Sequence, residues 1–356
     1  MVPIPSSWQP DVLGNRLTSI RVGGPVAYLV STASVQELRE AVERARALSM
    51  PVRFLGGGSN LLISDEGLNA VLIQPALKRF RVIDGPGERE LFREYVMQMR
   101  GDGAVQGRYV ATEGEQFLSL EGHGQSRVST ELVLLEVGAG MPWGQAVALS
   151  LREGLDGLQW YARIPCSVGG AAFNNIHGAD RLLSEVICAV HALDLETMQE
   201  VTLGPVSLGF GYDMSVFHGR RYSILSVIFA LGKAGEPEAS ANQRKYIEWT
   251  QEKARVQPSG ANCGSVFQNL SREVASGAGQ TALAAGWYVD QCGLKGERAG
   301  GMIVYPGHAN FIVNEGTGTQ ADFCSLVKNI RQQVHGRFGL WLEPEAEVWD
   351  ADGNRM

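Results

Sequence analysis

Apolar residues along this chain fall into short runs and alternations that end in glycine-rich turns, broken by stretches with a helical period. Ser19-Ile-Arg-Val-Gly-Gly24 leads into the apolar Ala27-Tyr-Leu-Val30, which reads as a strand. Ser34 with Glu37 then forms a capping pair that opens an amphipathic helix to about Ala47, so a β-α unit is expected. Val52-Arg-Phe-Leu55 runs into Gly56-Gly-Gly-Ser-Asn60 and on to Leu61-Leu-Ile63, predicting a strand, a glycine turn and a second strand. From about Asp84 to Thr130 the pattern gives way to charged and glycine-rich residues, with a short helix around Glu88 to Met99. This stretch reads as a partly mobile insertion.

Order returns at Glu131-Leu-Val-Leu-Leu-Glu-Val137, a strand ending in Gly138-Ala-Gly140, and a helix follows from about Pro142 to Glu153. Ile164-Pro-Cys-Ser-Val-Gly-Gly170 again ties a turn to small residues, and strands around Cys188 to Asp194 and Tyr222 to Leu231 close this half. Gly232 to Asn242, rich in Gly, Ala, Pro and Glu, reads as a linker. Beyond it the pattern predicts an apolar helix near Ala282 to Cys292, the strand Phe311-Ile-Val313, a helix from about Gln320 to Phe338, and a final strand through Trp341 and Glu345.

Composition narrows the function. At 356 residues the chain exceeds one compact core and implies two or three domains. Its 44 glycines stand well above the roughly 7% of an average chain and gather at the ends of apolar runs, as backbone shaped around a ligand would. A net charge of −7 offers no basic field for a phosphate backbone, so nucleic acid is not an expected partner. Five cysteines, odd in number and without CxxC pairing, fit a reducing cytoplasm and argue against a disulfide framework or zinc site, and the six histidines show no metal spacing. No run of about 18 apolar residues occurs, and the N-terminus lacks a basic patch before an apolar run. An unexported cytoplasmic protein with no membrane partner is expected.

The chemistry-bearing segment is Ser259-Gly-Ala-Asn-Cys-Gly-Ser-Val-Phe-Gln-Asn269, paired with Leu342-Glu-Pro-Glu345. Ser265 follows Gly264 and precedes β-branched and aromatic residues, so it is placed where a turn enters a strand, with its hydroxyl free to point into a cleft. No Gly-x-Ser-x-Gly elbow surrounds it, which disfavours a hydrolase nucleophile. Pro344 excludes an interior helix, so Glu343 and Glu345 are expected in extended backbone, on one face at a period of two. The glycine turns at Gly56, Gly57, Gly58, Ser59 and Asn60, and at Ser167, Gly169 and Gly170, offer two backbone N–H cradles for a pyrophosphate, and no GxGxxG opens a helix as a Rossmann site would need.

Together these motifs resemble one family, the flavin-dependent UDP-N-acetylenolpyruvoylglucosamine reductases of peptidoglycan synthesis (MurB). The resemblance is carried by Arg21 to Gly24, Gly56 to Asn60, Gly138 to Gly140, Ile164 to Gly170, Phe210 to Tyr212, Cys263 to Phe267, Ala285 to Trp287, Asp290 to Gly296, and Leu342 to Glu345, in the family's order. It implies an α+β chain: two FAD-binding subdomains of the vanillyl-alcohol oxidase (PCMH) type, at 1–78 and 79–231, and a C-terminal α+β substrate domain at 243–356 whose last strand returns to the FAD region. It further implies that NADPH reduces FAD and that the enolpyruvyl group of UDP-N-acetylglucosamine enolpyruvate is reduced in turn, with a monomer expected. On that resemblance Ser265 is the proton donor and Glu345 the catalytic carboxylate. Gly56 to Asn60, Gly138, Ile164, Pro165, Cys166, Ser167, Gly169 and Gly170 hold the cofactor, while Lys253, Asn269 and Lys295 meet the substrate.

The chain departs from the family pattern in two places. Asp213 stands after Phe210-Gly-Tyr212 where the family has an arginine that meets the substrate carboxylate, and Asn175-Ile-His-Gly-Ala-Asp180 replaces an Asn-x-Gly-Ala-Tyr-Gly segment. Arg163, Arg21 or Arg221 is expected to compensate for the missing cation, and His177 to be a packed or solvated ring. A short loop before Lys253 implies an open site. Two other readings stay in view: a flavin oxidoreductase of the same fold with another substrate, and a nucleotide-sugar-binding homologue whose turnover Asp213 has impaired.

Overall fold

A computed structural model describes residues 3–101, 132–178 and 181–356. The first sheet runs in the order Gln9–Leu13, Pro25–Thr32, Leu68–Pro75, Val52–Phe54, antiparallel across the first pair and parallel thereafter. The helix Val35–Ala47 begins where its cap predicts: the Glu37 amide donates to the Ser34 hydroxyl and the Ala33 amide to the Glu37 carboxylate. Its buried Leu38, Ala41, Val42 and Ala45 recur at helical spacing and pack on Val30, Val71 and Ile73 of the sheet.

The second sheet is antiparallel throughout, in the order Glu200–Leu203, Ile187–Asp194, Tyr222–Lys233, Leu132–Gly138, Phe80–Ile83. One face packs on Trp143 and Val147 of the helix Trp143–Arg152 and on Val168 and Ala172 of Val168–Phe173, with Tyr161 and Phe217 filling between. The opposite face carries Leu134, Cys188, Ala189 and Ile228 under Phe92. Phe92 lies at the junction of two helices, Pro86–Leu91 and Arg93–Gly101, so the short helix expected near Glu88 to Met99 is broken in two. That end of the presumed insertion is thus tied into the sheet, and the remainder, residues 102–131, lies outside the described residues.

A third unit sets a small antiparallel sheet, Ala261–Asn262, Ile312–Asn314, Met302–Val304, Arg298–Ala299, against the helices Ala285–Gln291 and Gln320–Phe338. Phe323, Leu326, Ile330 and Val334 form the buried stripe of the longer helix, and their core takes in Ile20, Val22 and Leu62 from the first unit. Shared apolar burial of this kind holds the two units in one orientation.

Two expectations are corrected. The segment Gly232 to Asn242 is not a linker: the helix Glu236–Val256 starts inside it, after Gly235 and with Pro237 in its first turn. Glu236 and Glu238 meet the positive end of that helix, so residues that suggest a loop by composition are helix-opening residues by position. The final strand is Glu347–Val348, not a run through Trp341 and Glu345, and it pairs in parallel with Leu61–Leu62 beside the glycine turn. Pro344 lacks the N–H a longer ladder needs and makes only an isolated bridge with Phe267.

The long helix is anchored by Asn242, which is buried and whose amide donates to the Asp156 carboxylate at 3.0 Å, an oxygen that Gln159 also approaches. Asn242→Ala leaves that carboxylate short of a donor and is expected to lower stability by about 1–3 kcal/mol. A urea midpoint shift equivalent to less than about 0.5 kcal/mol, the usual cost at a surface site, would show that this turn is a loose connection.

Candidate active site

The three units meet around a cavity of ≈ 1020 Å³, near the upper limit for a site built around one small ligand. Its floor joins two glycine turns. A Cβ on Gly57 would stand 3.0 Å from Cys166 Cα, and one on Gly56 would stand 2.9 Å from the Ser167 hydroxyl, so the two cradles touch only because these positions carry no side chain. Ser167 also caps the helix Val168–Phe173 by accepting from the Gly170 amide. Ile164, Pro165, Cys166, Gly169, Gly58, Ser59 and Asn60 line the same space. Burial pushes the Cys166 thiol up to about 12, leaving it protonated and a poor nucleophile.

Ser265 enters the cavity from a tight turn. Gly264 has φ +84°, and its amide donates to the Asn262 side chain, while Ser19 donates to the Asn262 carbonyl at 2.6 Å. Past the serine, Val266 and Phe267 are fixed on Asn310, whose carbonyl and side-chain oxygen each accept one of their amides. The Glu345 segment lies alongside: the Glu345 amide donates to the Val266 carbonyl at 2.9 Å, and Gln268 donates to the Glu343 carbonyl at 2.9 Å. On its other side Asn60 donates to the Glu345 carbonyl at 3.2 Å, and the Glu347 amide donates to the Asn60 carbonyl at 2.9 Å. One segment therefore fixes Glu345 between the serine turn and the glycine turn.

Glu345 lines the cavity, and withdrawal from bulk water drives its carboxyl well above the ordinary range, with Asp213 adding to the shift. It is a neutral acid near neutral pH. Lys253 also lines the cavity, donates to the Ala162 carbonyl at 2.9 Å, and has its ammonium pKa lowered by burial. Arg163 stands close by in sequence to Ala162 and lines the same wall, whereas Arg53, Arg220 and Arg355 line another part. An acidic chain thus presents cations at an internal surface where a diphosphate needs them.

The comparisons agree with this geometry. An FAD-binding domain model matches residues 95–200, and the C-terminal domain model of UDP-N-acetylenolpyruvoylglucosamine reductase matches 257–349. The reductase of Gloeobacter violaceus is 31% identical over 341 residues, covering 95% of this chain and 94% of its own. The chain belongs to the UDP-N-acetylenolpyruvoylglucosamine reductase family. That of a Synechococcus species is 30% identical, covering 93% of this chain and 88% of its own. The crystal structure of the MurB of Thermus caldophilus superposes with a TM-score of 0.67 at 27% identity, covering 96% of this chain and all of that one. The fold is therefore the expected α+β one, a PCMH-type FAD-binding region with a C-terminal α+β domain, and the chain is a flavin-dependent oxidoreductase of this type.

Not every expected residue reaches the cavity. Gly138 does not line it; a Cβ there would strike the Leu77 carbonyl, so its glycine serves the strand crossing, and Ala139 lines the cavity instead. Lys295 is paired with Asp290 at 2.8 Å, away from the lining. Asn269 lies at the rim, where its side chain accepts from the Ala285 amide and it meets the Tyr212 hydroxyl. Glu343 does not share a face with Glu345: it is exposed and lies 3.7 Å from Arg331. Of the three candidate compensating cations only Arg163 lines the cavity, because Arg221 is committed to Asp194 at 2.7 Å. His177, expected to be a bystander, lines it with Asp213 at 3.4 Å. The signal was present in the sequence, since the two departures from the family pattern are the two residues that meet.

A carboxyl whose folded pKa is raised contributes stability that is complete below the unfolded value, about 4.3, and is lost as pH rises through the folded value. Glu345→Gln removes that loss. In calorimetric melts of the FAD-loaded protein, the melting temperature of the variant relative to wild type is expected to rise from about pH 5 to about pH 8. A constant difference would mean that Glu345 is ionised in the fold throughout.

Proposed function

We propose that this protein reduces the enolpyruvyl double bond of UDP-N-acetylglucosamine enolpyruvate to give UDP-N-acetylmuramate, with NADPH as reductant, in the cytoplasmic synthesis of peptidoglycan precursors. The observation that carries this reading is the backbone pairing of the Glu345 and Val266 segments, which places a neutral acid beside the Ser265 turn in a cavity floored by two glycine cradles. FAD bound at those cradles supplies the hydride after NADPH has reduced it. The chain's own residues then meet two needs, a proton for the carbon alpha to the carboxylate and relief of the negative charge that builds there.

Ser265 is assigned the proton. A serine hydroxyl is a weak acid in water, so its donation depends on being held in place, and the locked turn through Gly264 and Asn310 supplies that. Glu345, kept neutral by burial, donates a hydrogen bond toward the carboxylate side where an ionised acid would repel it. Lys253 and Arg163 face the diphosphate, and Asn269 stands at the rim toward the sugar nucleotide. Lys295, held by Asp290, shapes the approach from outside the cavity.

Ser265→Ala separates the steps. Stopped-flow absorbance is expected to show flavin reduction by NADPH at the wild-type rate and reoxidation by the enolpyruvyl substrate slowed by about a hundredfold or more, because only the second step consumes the proton. Equal slowing of both steps would contradict the assignment, and reoxidation by oxygen alone in the wild-type protein would contradict the substrate.

A further inference from the structure

Beside Glu345 the cavity wall contains two polar atoms with no hydrogen-bond partner, Asp213 Oδ2 and His177 Nδ1. The Asp213 side chain is only 8% exposed, and its backbone is held at φ +50°, a conformation a branched acid adopts at a cost. Asp213 Oδ1 lies 3.4 Å from His177 Nδ1, close enough for an ion pair, although the two make no hydrogen bond. The His177 ring is fixed from its other side. It stacks on Tyr212 with centroids 4.8 Å apart, and its Nε2 lies 3.3 Å from the Tyr212 hydroxyl, which in turn meets Asn269 of the C-terminal unit.

Buried polar atoms without partners are uncommon in a finished fold, and a carboxylate beside a second carboxyl is especially costly unless a ligand or a proton satisfies it. A bare Asp213 carboxylate would repel any anionic group brought to Glu345. One proton shared with His177 removes that repulsion, and because no hydrogen bond ties Nδ1 to Oδ1, the proton is available to the cavity. We propose that Asp213 and His177 form a one-proton pair that binds the substrate carboxylate directly, offering it a hydrogen bond where a fixed cation would otherwise stand. The proposal rests on the enolpyruvyl reading above. It extends that reading by assigning carboxylate recognition to two residues that form an acid–imidazole pair in this chain.

The test is calorimetric titration of the FAD-loaded protein with UDP-N-acetylglucosamine enolpyruvate and, in parallel, with UDP-N-acetylglucosamine, which lacks the carboxylate. Asp213→Asn and His177→Gln are each expected to weaken the enolpyruvyl compound by about tenfold to a hundredfold, the cost of one hydrogen bond to a charged group. Both should leave UDP-N-acetylglucosamine binding within about twofold, which also reports an intact fold. The double variant should be little weaker than the poorer single one, since the two residues act as a unit. Equal weakening of both nucleotides would make the pair structural, and unchanged or tighter binding of the enolpyruvyl compound would overturn it. If the wild-type protein itself fails to prefer the enolpyruvyl compound, the substrate reading falls and the pair's role falls with it.

Discussion

The site depends on one strip of backbone, Glu343 to Trp349, hydrogen-bonded along both edges. One edge reaches the serine turn through Val266 and Gln268, and the other reaches the glycine turn through Asn60 and Leu62. Neither contact is a side-chain ion pair that salt or a single substitution would remove. Because backbone groups buried between units must be paired, the strip fixes the spacing between the proton-donor turn and the cofactor cradle within the tolerance of a hydrogen bond. Leu62, Ile20 and Val22 in the C-terminal core supply the apolar burial that keeps the units together while the strip sets their register.

The strip also decides the electrostatics. By carrying Glu345 into the cavity beside Asp213 it raises the carboxyl pKa, so that an acid in an already acidic chain becomes an uncharged hydrogen-bond donor. The cations are placed elsewhere on the wall, with Lys253 and Arg163 on one side and Arg53, Arg220 and Arg355 on another, leaving the neighbourhood of Glu345 to carboxyl groups and an imidazole. Charge for holding phosphates is thus separated from protons for chemistry, as a site handling a multiply anionic nucleotide requires.

Much of this was legible in the sequence, and the parts that were not share a cause. The cap at Ser34, the strand ending at Gly138 and the helix Gln320–Phe338 follow from local pattern, and local pattern decided them. Ser265 and Glu345 were identified from short motifs because their function lies in the motif. The errors arose where neighbours distant in the chain decide the outcome. Glu236 to Asn242 has the composition of a linker, yet Asn242 gains a buried partner in Asp156, which no local window contains. Gly138 resembles a ligand glycine but is required by the Leu77 backbone, and Lys295 resembles a phosphate ligand but is held by Asp290. His177 was discounted because its meaning comes from Asp213, which approaches from another part of the fold.

The central claim is that a side chain fixed by this strip, and not bulk water, delivers the proton to the reacting carbon. Turnover in heavy water followed by magnetic resonance of the product tests it most directly. The account predicts solvent deuterium at the carbon alpha to the carboxylate in a single configuration, since Ser265 approaches from one face only. A mixture of the two configurations at that carbon would contradict it.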